Sequence, residues 1–461
     1  MVLGAGPVGL LAAIALKRAL PGATIHVIDT GHAGDALADA YPLAYPPALA
    51  VLDRLGLGED MLVRECGATH KLADRFRGWG REDFTVTVQE AEATTGGVPI
   101  RLVAGAHGEV RTGLSGAAAL AERDRLAPDR LDASAAGRDI GYALRLDARR
   151  FTTRLRAIAA RVGVRHVSAA SITLTGAADG TLSVKVGGEL QLVADLLIES
   201  RGAGHLLADA PANDWSADIP EGRVCREPLA CHPSLSDLTT AHDWGWTTLM
   251  PGQRGGQTVA VLCDEGDRHA EGISREAVAA ASPFRTGRLA CPMEGRRVAL
   301  GDAAAISGPL GHFGFSLALL HLDLLLELLP AASPEPALAR EYNRRANLMS
   351  DDVRDFVALL FAFREAARPG PAAARLAPFV ERFGRTGRLP LRETGLVSDA
   401  AWEGAMAGLV AAAPGYDVTA QALATGAGAA LAARRREVEA LCASHPPYRL
   451  WLEERMADGS G

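Results

Sequence analysis

The sequence predicts an α/β protein: a Rossmann-like dinucleotide-binding domain that carries an inserted β-rich region and is followed by a helical C-terminal region. Three observations predict it. A glycine-rich turn joins a strand to an apolar helix at the N-terminus. A second strand–turn–helix element, Val298-Ala299-Leu300-Gly301-Asp302-Ala303-Ala304, lies far downstream. Between them run short segments with the period-two alternation of strands.

In the first element, Val2-Leu3 leads into Gly4-Ala5-Gly6-Pro7-Val8-Gly9, an apolar run over residues 10–20, and Thr24-Ile25-His26-Val27-Ile28-Asp29. This order reads strand, tight turn, helix, strand, acid. Gly4 permits the turn, Gly6 lets backbone approach a pyrophosphate, and Gly9 lets helix and strand pack closely, with Ala5 between them. The helix N-terminus then faces phosphate. Asp29 ends the second strand, where a carboxylate can accept hydrogen bonds from a ribose. The two strand residues Val2-Leu3 before Gly4 are fewer than the about five or six of a central strand, which raises the expectation of a longer native N-terminus. No basic and apolar leader precedes the turn, so no signal peptide is expected.

The downstream element ends its strand on Gly301-Asp302 and opens a small-residue helix. In an FAD fold it would set a carboxylate on the ribityl hydroxyls and a helix N-terminus near the isoalloxazine. The alternative is an ordinary β–α turn capped by Asp302. Taken together, the two elements point to FAD and to a domain of the glutathione-reductase type. Residues 1–83 are assigned to its first part and 296–333 to its last. Residues 84–295 hold its remaining strands and the β-rich, substrate-side region, and 334–461 form the helical substrate region.

Shorter patterns fill this frame. Residues 47–55 and 147–162 read as amphipathic helices. Strand signals occur at 171–174, 182–186 and 192–199, the last two as a hairpin. Residues 208–263 look β-rich, and residues 84–131 are mixed. From 334 onward the pattern is helical, broken at Pro369-Gly370-Pro371 and Pro414-Gly415.

Composition narrows the class. A net charge of −7 argues against nucleic acid or an anionic membrane as partner. Six cysteines are scattered with no C-x-x-C pair, so reduced thiols in a cytoplasmic protein are expected, and no metal site. The most apolar stretch, residues 315–329, contains His321, Asp323 and Glu327 and is read as a buried or amphipathic helix rather than a membrane span.

Lysine usage is the most unusual feature. The chain has three lysines against 45 arginines, and one of them is Lys71 in Ala68-Thr69-His70-Lys71. A lysine kept where arginine serves everywhere else is either a solvated residue of no consequence or a demand for an amine, which guanidinium cannot meet.

At this point the chain resembles the flavin-dependent tryptophan halogenases. Leu55-Gly56-Leu57, Gly67-Ala68-Thr69-His70-Lys71-Leu72 and Arg75-Phe76-Arg77-Gly78-Trp79 resemble that family's segment around its catalytic lysine. Gly141-Tyr142-Ala143-Leu144-Arg145-Leu146-Asp147, Asp195-Leu196-Leu197-Ile198-Glu199-Ser200-Arg201-Gly202, Tyr342-Asn343-Arg344-Arg345 and Pro414-Gly415-Tyr416-Asp417 resemble further family segments. The resemblance implies FAD, delivered reduced by a separate NAD(P)H:flavin reductase, together with oxygen, halide and an aromatic, indole-like substrate. It implies that hypohalous acid formed at the flavin travels to Lys71 beside the substrate. It assigns Asp39, Ala40, Gly301, Asp302, Pro309 and Leu310 to the cofactor side, the backbone of Phe313 and Gly314 to halide, and Trp246 to the substrate wall. It is compatible with a homodimer.

The sequence also departs from the family. The Trp-x-Trp-x-Ile-Pro motif appears as Trp246-Thr247-Thr248-Leu249-Met250-Pro251. In Ser307-Gly308-Pro309-Leu310-Gly311-His312-Phe313-Gly314, Gly311 stands where the family has the carboxylate that works with its lysine. His312 is either a substitute base or a packing histidine. Halogenation with an altered centre is therefore the expected function. The alternatives are a flavin monooxygenase, which shares the oxygen chemistry, and a flavin-binding protein without turnover. Gly202-Ala203-Gly204 lacks the third glycine of a second dinucleotide site, so the chain is not expected to reduce its own flavin.

Overall fold

The structure is a computed structural model. It describes the chain except residues 32–35, 108–112, 170, 177–181, 188–189, 203–211, 264–269, 271, 330–334, 365–369, 391, 393–394, 411–416 and 458–461. Ala203-Gly204, Pro369 and Pro414-Gly415-Tyr416 lie outside the described residues. The chain divides into two compact units, each assembled from three segments. One comprises Met1–Ala68, Arg145–Glu221 and Arg285–Arg354, and the other Thr69–Leu144, Gly222–Phe284 and Asp355–Gly461. These boundaries differ from those expected along the sequence because strand pairing, rather than chain order, groups the segments.

The first unit is built on a six-stranded sheet in the spatial order Arg165–Ser168, His26–Asp29, Val2–Leu3, Leu197–Glu199, Arg297–Ala299, Met293–Glu294. All pairs are parallel except the last. Val2 lies beside both Val27 and Ile198, and Ile198 lies beside Val298. These four side chains are fully buried, as a parallel sheet covered on both faces demands. Helix Pro7–Ala19 is buried along its first ten residues. Its apolar positions go all round, which suits a helix enclosed by protein; it packs on helices Ala148–Arg161 and Gly314–Glu327. Proline at its start costs nothing, because that N–H has no intrahelical partner.

Helix Ala148–Arg161 is capped by Asp147, whose Oδ1 accepts the Arg150 N–H at 2.9 Å. The segment expected as one strand over 192–199 is two. Leu190–Ala194 completes an antiparallel three-stranded sheet with Leu182–Val186 and Ile172–Gly176. After Asp195-Leu196, strand Leu197–Glu199 joins the parallel sheet. A continuous apolar alternation hides a change of sheet, because both pieces bury alternate side chains.

Leu310–Glu327 is, among the described residues, long and apolar enough to cross a membrane, and 67% of it is buried inside the protein. Counting from Leu310 supplies the length that 315–329 lacked. Phe315 meets Phe151 edge-on at 6.0 Å, and the Ser316 hydroxyl donates to Leu43 O and accepts from Tyr45 N. These contacts define a core helix.

The second unit centres on a seven-stranded sheet in the order Ser282–Phe284, Gly222–Leu229, Gly255–Leu262, Gly245–Gly252, Ser236–His242, Ala73–Arg77, Phe84–Thr87. Its single parallel pair joins Ser236–His242 to Ala73–Arg77, with Asp237 beside Asp74. Trp79 anchors an aromatic cluster with Phe76, Trp246 and Phe361, and its indole N–H donates to Leu360 O at 2.7 Å. Helices Pro371–Thr386, Asp399–Leu409, Val418–Ala424, Ala427–Ser444 and Tyr448–Ala457 complete this unit.

Two glycines test the close packing of the first helix. A Cβ on Gly9 would lie 2.1 Å from the Gly4 carbonyl oxygen and 2.6 Å from Ser200 Oγ, whereas one on Gly22 would meet nothing within 4 Å. Gly9→Ala should lower the melting temperature by several degrees and Gly22→Ala should not, as read by circular dichroism. Equal melting of the two variants would contradict the packing described.

Candidate active site

The glycine turn forms as expected. Gly4 has φ of 114°, a left-handed conformation that favours glycine, and its N–H donates to Ile28 O at 3.0 Å. Ser200 packs on both Gly4 and Gly9 and donates to Leu3 O at 2.8 Å. Gly6 precedes the first helical residue without a side-chain cap. The helix N-terminus there is the electropositive end that a phosphate would meet.

Asp39 stands at that end. Its Oδ1 accepts the Val8 N–H at 2.9 Å, and its Oδ2 would lie 2.0 Å from a Cβ on Gly6. Burial pushes its carboxyl up to about 7, against the lowering effect of the Val8 hydrogen bond and with a further push from Asp302. A phosphate at this turn therefore competes with Asp39 for the Val8 donor.

Asp302 lies in the turn Gly301–Ala303 and accepts the N–H groups of Leu37 and Ala38 at 2.5 and 3.1 Å. Burial raises it to about 6, while these two hydrogen bonds pull the other way. It lines a cleft with Tyr41, Ser307, Gly308, His312 and Gly314. Ser307 is 3% exposed, and its hydroxyl makes no hydrogen bond among the described residues. A buried hydroxyl of this kind is a donor and acceptor suited to a polar ligand. Ala40, Pro309 and Leu310 lie in the same unit, Ala40 at the end of helix Leu37–Ala40 and Leu310 at the start of a tight turn.

The turn Leu310–His312 is unusual. Gly311 has φ of 75° and His312 φ of 52°. A Cβ on Gly311 would lie 2.3 Å from Cε2 of the Phe313 ring. Phe313 stacks on Tyr45 at 4.8 Å, and the Tyr45 hydroxyl donates to Gly311 O at 2.8 Å. The glycine is thus required by the backbone and by the stacked ring. The His312 ring is buried and lies 5.0 Å from Tyr41. Helix Gly314–Glu327 starts just beyond, without a side-chain cap, so the N–H groups near Phe313 and Gly314 sit at another electropositive helix end.

Within the second unit, Lys71 ends strand Thr69–Lys71 and is fully buried. Its Nζ lies 2.8 Å from Asp74 Oδ1 and 2.7 Å from Asp237 Oδ2. Asp237 is fully buried and Asp74 nearly so. Neither carboxylate was singled out from the sequence. Asp74, three residues after Lys71, carried a signal in its spacing; Asp237 reads like any acid at a strand end.

The other candidates have clear surroundings. Asp29 Oδ1 accepts the Gly31 N–H, and its Oδ2 lies 3.1 Å from Arg156 and 3.5 Å from His166, so a ribose would share it with these groups. Trp246 is 2% exposed in the Trp79 cluster. Thr248, where the family has its second tryptophan, is buried and hydrogen-bonded to Thr239 at 3.0 Å. His70 is buried and pairs through Nδ1 with the Tyr448 hydroxyl, between the rings of Tyr142 and Trp451. Burial pushes the Cys66 thiol up to about 12, which makes it a poor nucleophile. No cluster of metal-ligating side chains occurs among the described residues.

A parallel sheet, a glycine turn at a helix N-terminus and a buried Gly-Asp turn on a cleft define a dinucleotide-binding enzyme of the flavoprotein class. The model of the tryptophan halogenase family matches residues 1–425, and the chain belongs to that family; it is an FAD-dependent enzyme. It is 25% identical over 418 residues to the tryptophan 7-halogenase RebH of Lentzea aerocolonigenes, covering 79% of this chain and 76% of that one. Among solved structures it resembles BrvH, a flavin-dependent halogenase from Brevundimonas sp. BAL3, with TM-score 0.85, 20% identity and 98% of each chain covered. It also resembles the tryptophan 6-halogenase SttH from Streptomyces toxytricini, with TM-score 0.83, 20% identity and 99% of each chain covered.

The buried carboxyl of Asp39 has a consequence for stability. An unfolded Asp loses its proton near pH 4, while folded Asp39 keeps its proton up to about 7. Between these values the folded state binds more protons, so this contribution is full below pH 4 and is lost as pH rises through 7. The expected slope is about 1.4 kcal/mol per pH unit. Melting temperatures at pH 5, 6, 7 and 8 should fall in the parent chain and fall less in Asp39→Asn; parallel profiles would refute the assignment.

Proposed function

We propose that this chain halogenates an electron-rich aromatic substrate of the indole or phenol class, with Lys71 as the residue that presents the halogenating species. The observation that carries this reading is Lys71 itself. It is one of three lysines, it is fully buried, and it sits in the segment that resembles the family's catalytic-lysine segment.

When bound, reduced FAD with oxygen supplies the oxidising equivalent that turns halide into an electrophilic halogen. The residues of this chain have distinct tasks. Gly4 makes the turn, Gly6 lets the backbone approach the pyrophosphate and Gly9 lets helix and strand pack closely, and Asp302 and Ser307 offer buried polar atoms to the ribityl chain. The N–H groups near Phe313 and Gly314 attract halide through the helix dipole. Lys71 donates hydrogen bonds to the oxidant and so polarises it toward the ring carbon. Reduced FAD comes from a separate NAD(P)H:flavin reductase. The six cysteines are free thiols, which supports a reducing, cytoplasmic setting.

His312 is read here as a packing histidine. Its ring is buried against Tyr41 in a left-handed turn, a placement that holds the turn.

Two outcomes check the reading. With a flavin reductase, NADH, FAD, bromide and indole, the parent chain should give halide-dependent bromoindole by mass spectrometry. Lys71→Ala should give at least a hundredfold less while its FAD affinity is unchanged. Hydroxylated product would favour a monooxygenase, and bound FAD without product would favour a flavin carrier.

Gly311→Glu should not restore a family-like centre. The left-handed backbone and the Phe313 ring both oppose a side chain there. The variant should melt lower than the parent and brominate no faster; a faster, equally stable variant would contradict the geometry.

A further inference from the structure

We propose that Asp237, together with Asp74, is the carboxylate partner of Lys71, so that the negative charge beside the lysine comes from the seven-stranded sheet of the lysine's own unit. This rests on the halogenation reading above and deepens it.

Three observations carry it. First, both carboxylates contact the amine directly, at 2.8 and 2.7 Å, and Lys71 and Asp237 are each 0% exposed. A lone ammonium or carboxylate in such a place would be costly, whereas opposed charges in contact offset much of that cost. Second, Asp237 and Asp74 are direct neighbours across a parallel strand pair. Like charges placed opposite each other on neighbouring strands repel. A cation between them is what makes the pairing tolerable, so the three residues form one unit. Third, position 311 carries no side chain, and its backbone and the Phe313 ring oppose one. The resemblance implies a carboxylate that works with the lysine, and Asp237 and Asp74 are two that contact it.

Asp237 and Asp74 act through Lys71 and are positioning residues. They fix the direction of the amine and hold it in the ammonium form, which donates hydrogen bonds to the halogenating oxygen. The overall step balances as aromatic C–H plus hypohalous acid giving aromatic C–halogen plus water. The C–H and O–halogen bonds break, and the C–halogen bond and a new O–H bond form. The ring proton ends on the released oxygen.

Two variants test the pair. Asp237→Asn removes one carboxylate from Lys71 and keeps the Asp74 contact. With lysine labelled with 13C and 15N, the three lysines Lys17, Lys71 and Lys185 give three side-chain signals, and Lys71→Ala assigns one by its loss. Asp237→Asn should move the Lys71 signal alone, lower kcat for indole bromination at least tenfold, and leave KM for indole within twofold. Asp237→Glu should recover part of kcat. Asp74→Asn, whose side chain is 13% exposed, serves as the second variant should Asp237→Asn fail to fold, with the same expected signs.

An unmoved Lys71 signal, or an unchanged kcat in a folded Asp237→Asn or Asp74→Asn variant, overturns the proposal. If Lys71→Ala still abolishes product, the halogenation reading survives that failure. If Lys71→Ala brominates as well as the parent, or the parent forms no bromoindole, that reading falls and the positioning role falls with it.

Discussion

The close approach of Gly4, Gly9 and Ser200 is the constraint on which the first unit depends. The Gly4 carbonyl and the Ser200 hydroxyl occupy the space that any side chain at position 9 would need. Because that space is empty of Cβ, helix Pro7–Ala19 can lie against strands Val2–Leu3 and Leu197–Glu199 and still point its N-terminus at the turn. The sheet order around Val2, the burial of the helix and the electropositive end at Gly6 follow from this one contact. Asp39 then settles at the helix end, where its Oδ1 accepts the otherwise free Val8 N–H.

The carboxylates of this protein are where electrostatics and function meet. Asp39 and Asp302 are both buried and both shifted upward, and each accepts backbone N–H groups. They are near enough for Asp302 to raise Asp39. Two buried acids with raised pKa values are an expensive arrangement for stability alone, and perturbed groups of this kind concentrate at functional sites. Asp74 and Asp237 solve the same problem differently, with a cation in direct contact rather than backbone donors.

Family membership and local chemistry answer different questions here. Membership rests on a match along most of the chain and brings the cofactor and the reaction class. It says nothing of the residues that depart from the family's pattern. At Gly311, expected to be one of these, a left-handed φ and the stacked Phe313–Tyr45 pair make a turn that suits glycine. Thr248 is another; its hydrogen bond to Thr239 fills the buried position with a polar pair.

Local rules were enough for much of the fold. Glycine spacing, the acid after the second strand and the N-cap at Asp147 depend on neighbours a few residues away, so the elements at Pro7–Ala19, His26–Asp29 and Ala148–Arg161 were readable with small shifts at their ends. Lys71 stood out because composition alone marks a lysine in an arginine-rich chain. What the sequence could not decide were contacts between distant segments. The apolar alternation over 192–199 does not reveal that the chain leaves one sheet for another at Asp195-Leu196. The acid at 39 could be tied to the cofactor loop only loosely, and its hold on the Val8 N–H came from tertiary packing. The partner of Lys71 is the clearest case. Asp237 became its neighbour only because strand Ser236–His242 runs parallel to Ala73–Arg77 in this register. A shift of one residue would turn the carboxylate to the other face, and no local pattern around Asp237 encodes which register is chosen.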